Sequence, residues 1–275
     1  MPLDSSAPTG EEPALFVRDG DRFIPTILSQ GPWSPDHQFG GSPAALLATV
    51  LDDVPSLVPQ QLVRVTIDLL RPVPLRPMHV TTQIRREGKR IQVLDASVMV
   101  DGVEVVRASA LRMRTGDLGV FDDITLPSGH PQPAPVWVES EAGPVAPDRA
   151  PHHSFVPGMS GATDTVFDPI ADWGAAPVWW RLRVPVIAGE SVKGVARLCY
   201  IADGVSGVGH PRSPSLSGIN ADVTVHIVRA PVSEWLCVDG TGWVSPAGIG
   251  HSQATISDAN GVAASVTLSR LMDRI

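Results

Sequence analysis

Residues 63–74 read VRVTIDLLRPVP, and residues 219–231 read INADVTVHIVRAP. The two stretches align without a gap. Val65-Thr66 matches Val223-Thr224, Arg71 matches Arg229, and both matches lie 158 positions apart. Each stretch continues through a Pro-containing break into a new β-rich run, RPVPLRPMHVTTQI after one and RAPVSEWLCVDGTG after the other. Each half then reaches a late turn, at Asp101-Gly102 and at Asn260-Gly261. The spacing is far too long for a solenoid, whose repeats run to tens of residues. It indicates a duplicated unit.

Within the first stretch Val63, Val65, Ile67 and Leu69 alternate with Arg64, Thr66 and Asp68, the period of a strand with one buried face. Outward from it, ALFVRDGDRFIPTIL reads as a hairpin turned at Asp19-Gly20. MHVTTQIRREGKRIQVLDASVMV reads as two runs around Glu87-Gly88, and VEVVRASALRM adds a further strand. Strands at this spacing, with turn residues between them, imply an antiparallel sheet. GGSPAALLATVLDDV breaks the pattern as a helix, with Ser42 expected at the N-cap and Pro43 in first helical position. Ala44, Leu47, Ala48 and Leu51 form one stripe, widened by Leu46 and Val50. A helix apolar on most sides is buried on most sides, and a sheet wrapped around it meets that need.

The second half repeats this order. APVWWRLRVPV reads as a strand and GESVKGVARLCYIADG as a helix with Val195, Leu198, Cys199 and Ala202 on one stripe. Strands are expected around 219–229, 233–244, 248–257 and 262–270. Between the halves, Pro127, Pro131, Pro133, Pro135, Pro144, Pro147 and Pro151 disfavour regular structure. The expected organisation is a first unit over 1–115, a Pro-rich linker over 116–152 and a second unit over 153–275.

The chain has 275 residues, enough for one large or two ordinary domains. With 43% apolar and 18% charged residues it has ample core material and is not a disordered chain. No apolar run approaches the roughly 20 residues that span a bilayer, and MPLDSSAPTG lacks the basic and apolar regions of a secretory signal. Cys199 and Cys237 fit no metal-ligand spacing and read as buried free thiols. A cytoplasmic protein is expected. The net charge of −8 argues against a general nucleic-acid binder. Neither a phosphate-binding glycine loop, HExxH nor a GxSxG nucleophile elbow is present. His152 and His153 are adjacent and point apart on an extended chain, so no metal is expected.

Several elements together resemble the type II acyl-CoA thioesterases. HQFGGSPAALL resembles the Gly-Gly lead-in to their first central helix. TIDLLRPVP and INADVTVHIVRAPVSEWL resemble their helix-facing strands, including Arg-x-Pro and Glu-Trp-Leu, and YIADG resembles the end of the second central helix. The resemblance implies an α+β double hotdog: two tandem units, each an antiparallel sheet wrapped around a central helix. It implies hydrolysis of an acyl-CoA substrate to a free acid and coenzyme A, without metal or other cofactor. In that family an Asp, a hydroxyl residue and a Gln hold a water against the thioester carbonyl. Carried over, these fall on Asp203, Asn220 and Leu268.

Asp203 would act as general base, its pKa raised by burial beside apolar walls. It could equally be an ordinary turn residue in DGVSGVG. Asn220 would orient the water through its amide, or simply begin a strand. Gly40 and Gly41 either offer an N–H to the thioester oxygen at a helix N-terminus or make a turn into a packed helix. His37 is a second acid or base, or an exposed side chain. Arg85, Arg86, Lys89 and Arg90 form a basic turn for the coenzyme phosphates or a solvated one. Arg71 and Arg229 are expected to close each repeated strand onto its neighbour. Two alternatives keep the fold: an acyl-thioester-binding protein without hydrolysis, because Leu268 lacks a polar group, and an enoyl-thioester hydratase. Exposed sheet edges favour a homo-oligomer.

Overall fold

The computed structural model describes residues 13–117, 138–140, 143–145, 159–166, 177–208 and 215–275. In chain order the strands and helices are β1 (Phe16–Asp19), β2 (Arg22–Pro25), α1 (Gly41–Asp52), β3 (Gln60–Leu69), β4 (Met78–Arg86), β5 (Ile91–Val100) and β6 (Val103–Arg114). Then come β7 (Val138–Ser140), β8 (Gly143–Val145), α2 (Met159–Ala162), β9 (Thr163–Val166), β10 (Val178–Leu182) and α3 (Gly194–Asp203). The chain ends with β11 (Leu216–Asn220), β12 (Asp222–Ile227), β13 (Trp235–Val244), β14 (Ile249–Asp258) and β15 (Gly261–Arg274). All but β7 and β8 join one 13-stranded sheet in the order β1-β2-β4-β5-β6-β3-β12-β15-β14-β13-β10-β9, with β11 also on β15. This is the expected α+β double hotdog.

The repeated stretch explains the joint. β3 and β12 pair antiparallel in the middle of the sheet, and Thr66 stands opposite Thr224. Their hydroxyls lie 3.2 Å apart, and the two residues are separated by 158 in sequence. A pseudo-twofold axis therefore passes between them and relates the two halves. The same offset carries Ile91–Val100 onto Ile249–Asp258, the full length of both strands. Gln92 faces Arg112 in one half, and Gly250 faces Arg270 in the other.

α1 buries every residue except Val50 and Asp52, as its apolar surface requires. It packs against α3, so the two central helices share one core between the two curved half-sheets. No helix of the described residues is long and apolar enough to cross a membrane.

Four local expectations change. The first hairpin turns at Gly20-Asp21, where Gly20 takes φ +61°. A bulge between Leu62 and Arg64 moves Val63 off the buried face, which Leu62, Val65 and Ile67 supply. The N-cap of α1 is Gly40, not Ser42, whose hydroxyl bonds the Ser29 carbonyl at 3.4 Å inside the first turn. The strand expected over 219–229 breaks at Ala221, whose N–H donates to Ser269 O while its own carbonyl takes the Leu69 N–H. Most of the expected linker, with His152 and His153, lies outside the described residues. Within it, β7 and β8 form a short pair.

Candidate functional site

α3 ends at Asp203, where α1 begins. The α3 stripe of Val195, Leu198, Cys199 and Ala202 is buried, and Asp203 is carried inward with it, 5% exposed. A carboxylate is disfavoured at the C-terminus of its own helix. Here it meets the N-terminus of α1 instead, and the Gly41 N–H donates to it. Gly40 makes this approach possible. A Cβ at that position would lie 2.8 and 2.9 Å from the two Asp203 oxygens.

Asn220, the last residue of β11, completes the arrangement. Its Nδ2 donates to Asp203 Oδ1 at 2.7 Å and to the Asp203 carbonyl at 3.1 Å. Both partners are acceptors, which fixes the amide nitrogen toward Asp203 and turns Oδ1 the other way. Burial pushes the Asp203 carboxyl up from its ordinary 3.8 to about 6, against the lowering effect of the Asn220 and Gly41 hydrogen bonds. One turn earlier, Tyr200 is fully buried, and burial together with the Asp203 charge pushes its phenol upward. Its ring meets Phe39 edge-on at 5.2 Å.

Asp203 and Asn220 line a cavity of about 290 Å³. Its walls are Trp33, Leu69, Leu70, Val73 and Ile219, with His37, Gln38, Gly40, Arg71 and Pro72. The cavity exists because β3 stops at Leu69 while its partner strand continues past Ala221 into β11, leaving space beside Asn220. The chain after β3 then closes the far side: Gln38 N–H donates to Val73 O, and Gln38 Nε2 donates to Pro74 O at 2.8 Å. Chemically the arrangement offers a buried carboxylate that changes charge near pH 6, an amide oxygen beside it, and apolar walls.

Among the residues read from sequence, Asp203, Asn220, Gly40 and His37 come together around this cavity. Gly41 and Leu268 are not in its lining. The Gly41 N–H, expected to face a thioester oxygen, is taken by the Asp203 carboxylate. Leu268 is 1% exposed, in the core opposite Ser252. Asp203 is the last helical residue and not part of the following turn. Arg85 is paired with Asp95 at 2.5 Å.

The sequence reading missed Trp33, Leu70 and Ile219, and it misplaced Arg71. Arg229 does close its strand, through Asp258 at 2.5 and 2.8 Å and the Gly261 carbonyl at 2.7 Å. The position 158 before Asp258 is Val100, which offers no acceptor. Arg71 therefore has no such clamp and lines the cavity. The signal was present as Val100 set against Asp258.

Comparison with known proteins gives the arrangement its family. No curated protein matches the chain. A Thermobifida fusca YX protein assigned as a thioesterase II aligns with a TM-score of 0.69 at 13% identity, over 96% of this chain and 100% of that one. A hot dog fold protein from Alicyclobacillus acidocaldarius gives 0.64 at 15%, over 94% and 95%. Acyl-CoA thioesterase II TesB2 from Mycobacterium marinum gives 0.60 at 17%, over 94% and 93%. At these identities the likeness shows the fold. The family models match at both halves, an acyl-CoA thioesterase N-terminal domain over residues 29–113 and an acyl-CoA thioesterase C-terminal domain over residues 128–268. The chain belongs to the acyl-CoA thioesterase family, with both of its domains in one polypeptide.

Proposed function

We propose that the protein hydrolyses the thioester of a fatty acyl-CoA by direct attack of water, with Asp203 as general base and Asn220 orienting the water. The observation that carries this reading is the buried Asp203 carboxylate, held by Asn220 and Gly41 at the wall of the cavity. Water bonded to Asp203 attacks the acyl carbon and gives its proton to the carboxylate. The carbonyl oxygen becomes an oxyanion, and the Gly40 N–H at the helix N-terminus is the donor proposed for it. Collapse of the intermediate breaks the carbon–sulfur bond. The proton held on Asp203 passes to the departing sulfur, leaving a carboxylic acid and free coenzyme A. Arg71 and His37 at the cavity are the groups proposed to meet the coenzyme. The acyl chain faces Leu69, Leu70, Val73 and Ile219. We assign residues 1–115 and 153–275 to the two units and 116–152 to their linker.

Thiol release from short-, medium- and long-chain acyl-CoAs, with wild type beside Asp203→Asn, tests this. Wild type is expected to turn over, and the variant to lose about 10²- to 10⁴-fold in kcat. Equal rates in the two proteins would remove Asp203 from the mechanism. Leu268 favours one second reading, an acyl-CoA-binding protein without turnover, because it leaves the family's third polar position apolar. On that reading wild type is thermally stabilised by an acyl-CoA and releases no thiol, and Leu268→Gln gains turnover.

A further inference from the structure

Gln38 stands in the wall of the cavity and is 5% exposed. The chain around it is pinned to the segment that follows β3. Its own N–H donates to the Val73 carbonyl at 2.8 Å, the Leu75 N–H donates to Asp36 O at 2.8 Å, and His37 bridges to Pro74. The side-chain amide is pinned as well, because Nε2 donates to the Pro74 carbonyl at 2.8 Å. A carbonyl can only accept, so the amide nitrogen and not its oxygen faces Pro74. The amide cannot turn over without losing that bond, and Oε1 is held in place. Oε1 is buried and has no hydrogen-bond partner among the described residues. The donors that share the lining, Trp33, His37 and Arg71, make no hydrogen bond to it. A buried acceptor left open is costly to a fold, and here it lies at the wall that also carries Asp203.

The site is short of a donor, and the substrate class decides which group supplies it. Water at Asp203 gives its two protons to the carboxylate and to the Asn220 amide oxygen. The thioester itself and a fatty acyl chain carry no donor. On the coenzyme side the first N–H belongs to the amide of the pantetheine arm, two carbons beyond the sulfur. That nitrogen lies about 5 Å from the acyl carbon along an extended chain. A hydrogen bond from it adds about 3 Å. Gln38 precedes Gly40 by two residues, about 7 Å on an extended backbone. Gly40 lies against the Asp203 carboxylate, where a Cβ would be 2.8 and 2.9 Å from its oxygens. The open acceptor therefore stands within the reach that the amide needs when the acyl carbon is at the water.

We propose that Gln38 is a specificity-determining residue whose Oε1 accepts the N–H of the pantetheine amide nearest the thioester. The inference rests on the reading of Asp203 and Asn220 as the hydrolytic pair. It adds that the protein selects its thioester by the amide of the carrier arm as well as by the acyl group, and that this bond sets the acyl carbon at the water.

Two thioesters that differ only at that group test it on the unaltered protein. One is the octanoyl thioester of N-acetylcysteamine, which keeps the N–H. The other is the octanoyl thioester of 2-mercaptoethyl acetate, which has an ester oxygen in its place. Wild type is expected to favour the amide by about 10- to 100-fold in kcat/KM, because the ester sets one acceptor against another. Gln38→Met should lose about 10-fold or more on the amide, chiefly in KM, and treat the two thioesters alike within about twofold. The variant also gives up the Pro74 bond, but that loss weighs equally on both substrates. Equal rates on the two thioesters in wild type would overturn the proposal and leave Oε1 to a buried water. A preference that survives unchanged in Gln38→Met would overturn it too, by giving the amide a different partner.

Binding without chemistry adds an independent arm. The octyl thioether of N-acetylcysteamine has no thioester to cleave. It should raise the Tm of the full chain by about 2 °C or more at saturating concentration, and its acetate counterpart should raise it less. Gln38→Met should respond to both alike. Asp203-dependent hydrolysis with no preference between amide and ester removes Gln38 from recognition and leaves the hydrolase reading standing. An amide-dependent rise in Tm that Gln38→Met abolishes, with neither thioester turned over, does the reverse. An unchanged Tm together with no turnover overturns both.

Discussion

Asp203 carries opposite demands from stability and from chemistry. Its pKa rises from 3.8 to about 6 on folding, chiefly through burial. The folded state therefore holds the proton more tightly than the unfolded chain. The Asp203 contribution to stability is full below pH 3.8, is lost as pH rises from 3.8 to about 6, and is then smaller by about 3 kcal/mol. Catalysis needs the form that destabilises. kcat/KM is expected to rise with pH to a plateau, with its midpoint near 6, measured by thiol release in constant-ionic-strength buffers. Asp203→Asn removes the charge and should melt several degrees above wild type at pH 8 and close to it at pH 4. A variant that melts below wild type at pH 8 would mean that the Asn220 and Gly41 hydrogen bonds outweigh desolvation. Asn220→Ala separates positioning from mere packing. It deletes a hydrogen bond that lowers the Asp203 pKa, so the acid limb of the rate profile should move above pH 6 while kcat falls about 10-fold or more. A drop in kcat with an unmoved limb would assign Asn220 only to the helix end.

The element that makes this chemistry possible is the first turn of α1. Gly40 has φ −59° and ψ −26°, a conformation alanine adopts freely, so Gly40→Ala adds no backbone strain. Its Cβ would nevertheless lie within 2.9 Å of both Asp203 oxygens. The expected result is a loss of about 100-fold in kcat with a circular dichroism spectrum unchanged from wild type. Full activity would mean that the carboxylate can move without consequence. This turn also marks the boundary of what sequence could tell. The strand of residues 60–69 and the helix after Gly40 were legible because alternation and helical stripes follow from local geometry. Asp203 was legible because YIADG resembles a family element. The destination of the Gly41 N–H was not, because its acceptor comes from a helix about 160 residues further on. The cavity was not legible either. It depends on where β3 ends relative to its partner, and no local pattern encodes that difference. Arg71 is the intermediate case: its role turns on Val100 standing where the other half has Asp258, a contrast visible once the 158-residue offset is applied to every strand.

At the scale of the whole molecule, duplication creates two helix junctions, and they have diverged. The antiparallel central helices meet at both ends. At one end Asp203 closes the C-terminus of α3 against the N-terminus of α1. At the other end Lys193, the N-cap of α3, reaches the C-terminus of α1, with Nζ 2.5 Å from Asp53 Oδ1, 3.5 Å from Asp52 Oδ2 and 3.3 Å from the Thr49 carbonyl. A cation suits a helix C-terminus as the carboxylate suits the N-terminus. The first junction keeps a buried carboxylate at the cavity, and the second is a partly exposed ion-pair cluster. If the second junction serves only to fasten the helices, Lys193→Met should lower stability and leave hydrolysis alone. Lys193 is partly exposed, so water screens its pairs, and their joint contribution is about 1 kcal/mol. That corresponds to a fall in Tm of about 2–4 °C. kcat/KM should stay within about twofold, because α3 places Lys193 about 15 Å from Asp203. The measurement pairs a calorimetric scan with thiol release on the same preparation. A large loss of kcat at unchanged Tm would mean that the ion pair sets the position of α3 along α1, and with it the depth at which Asp203 meets Gly40. The two junctions would then act as one device rather than as an active end and a fastened one.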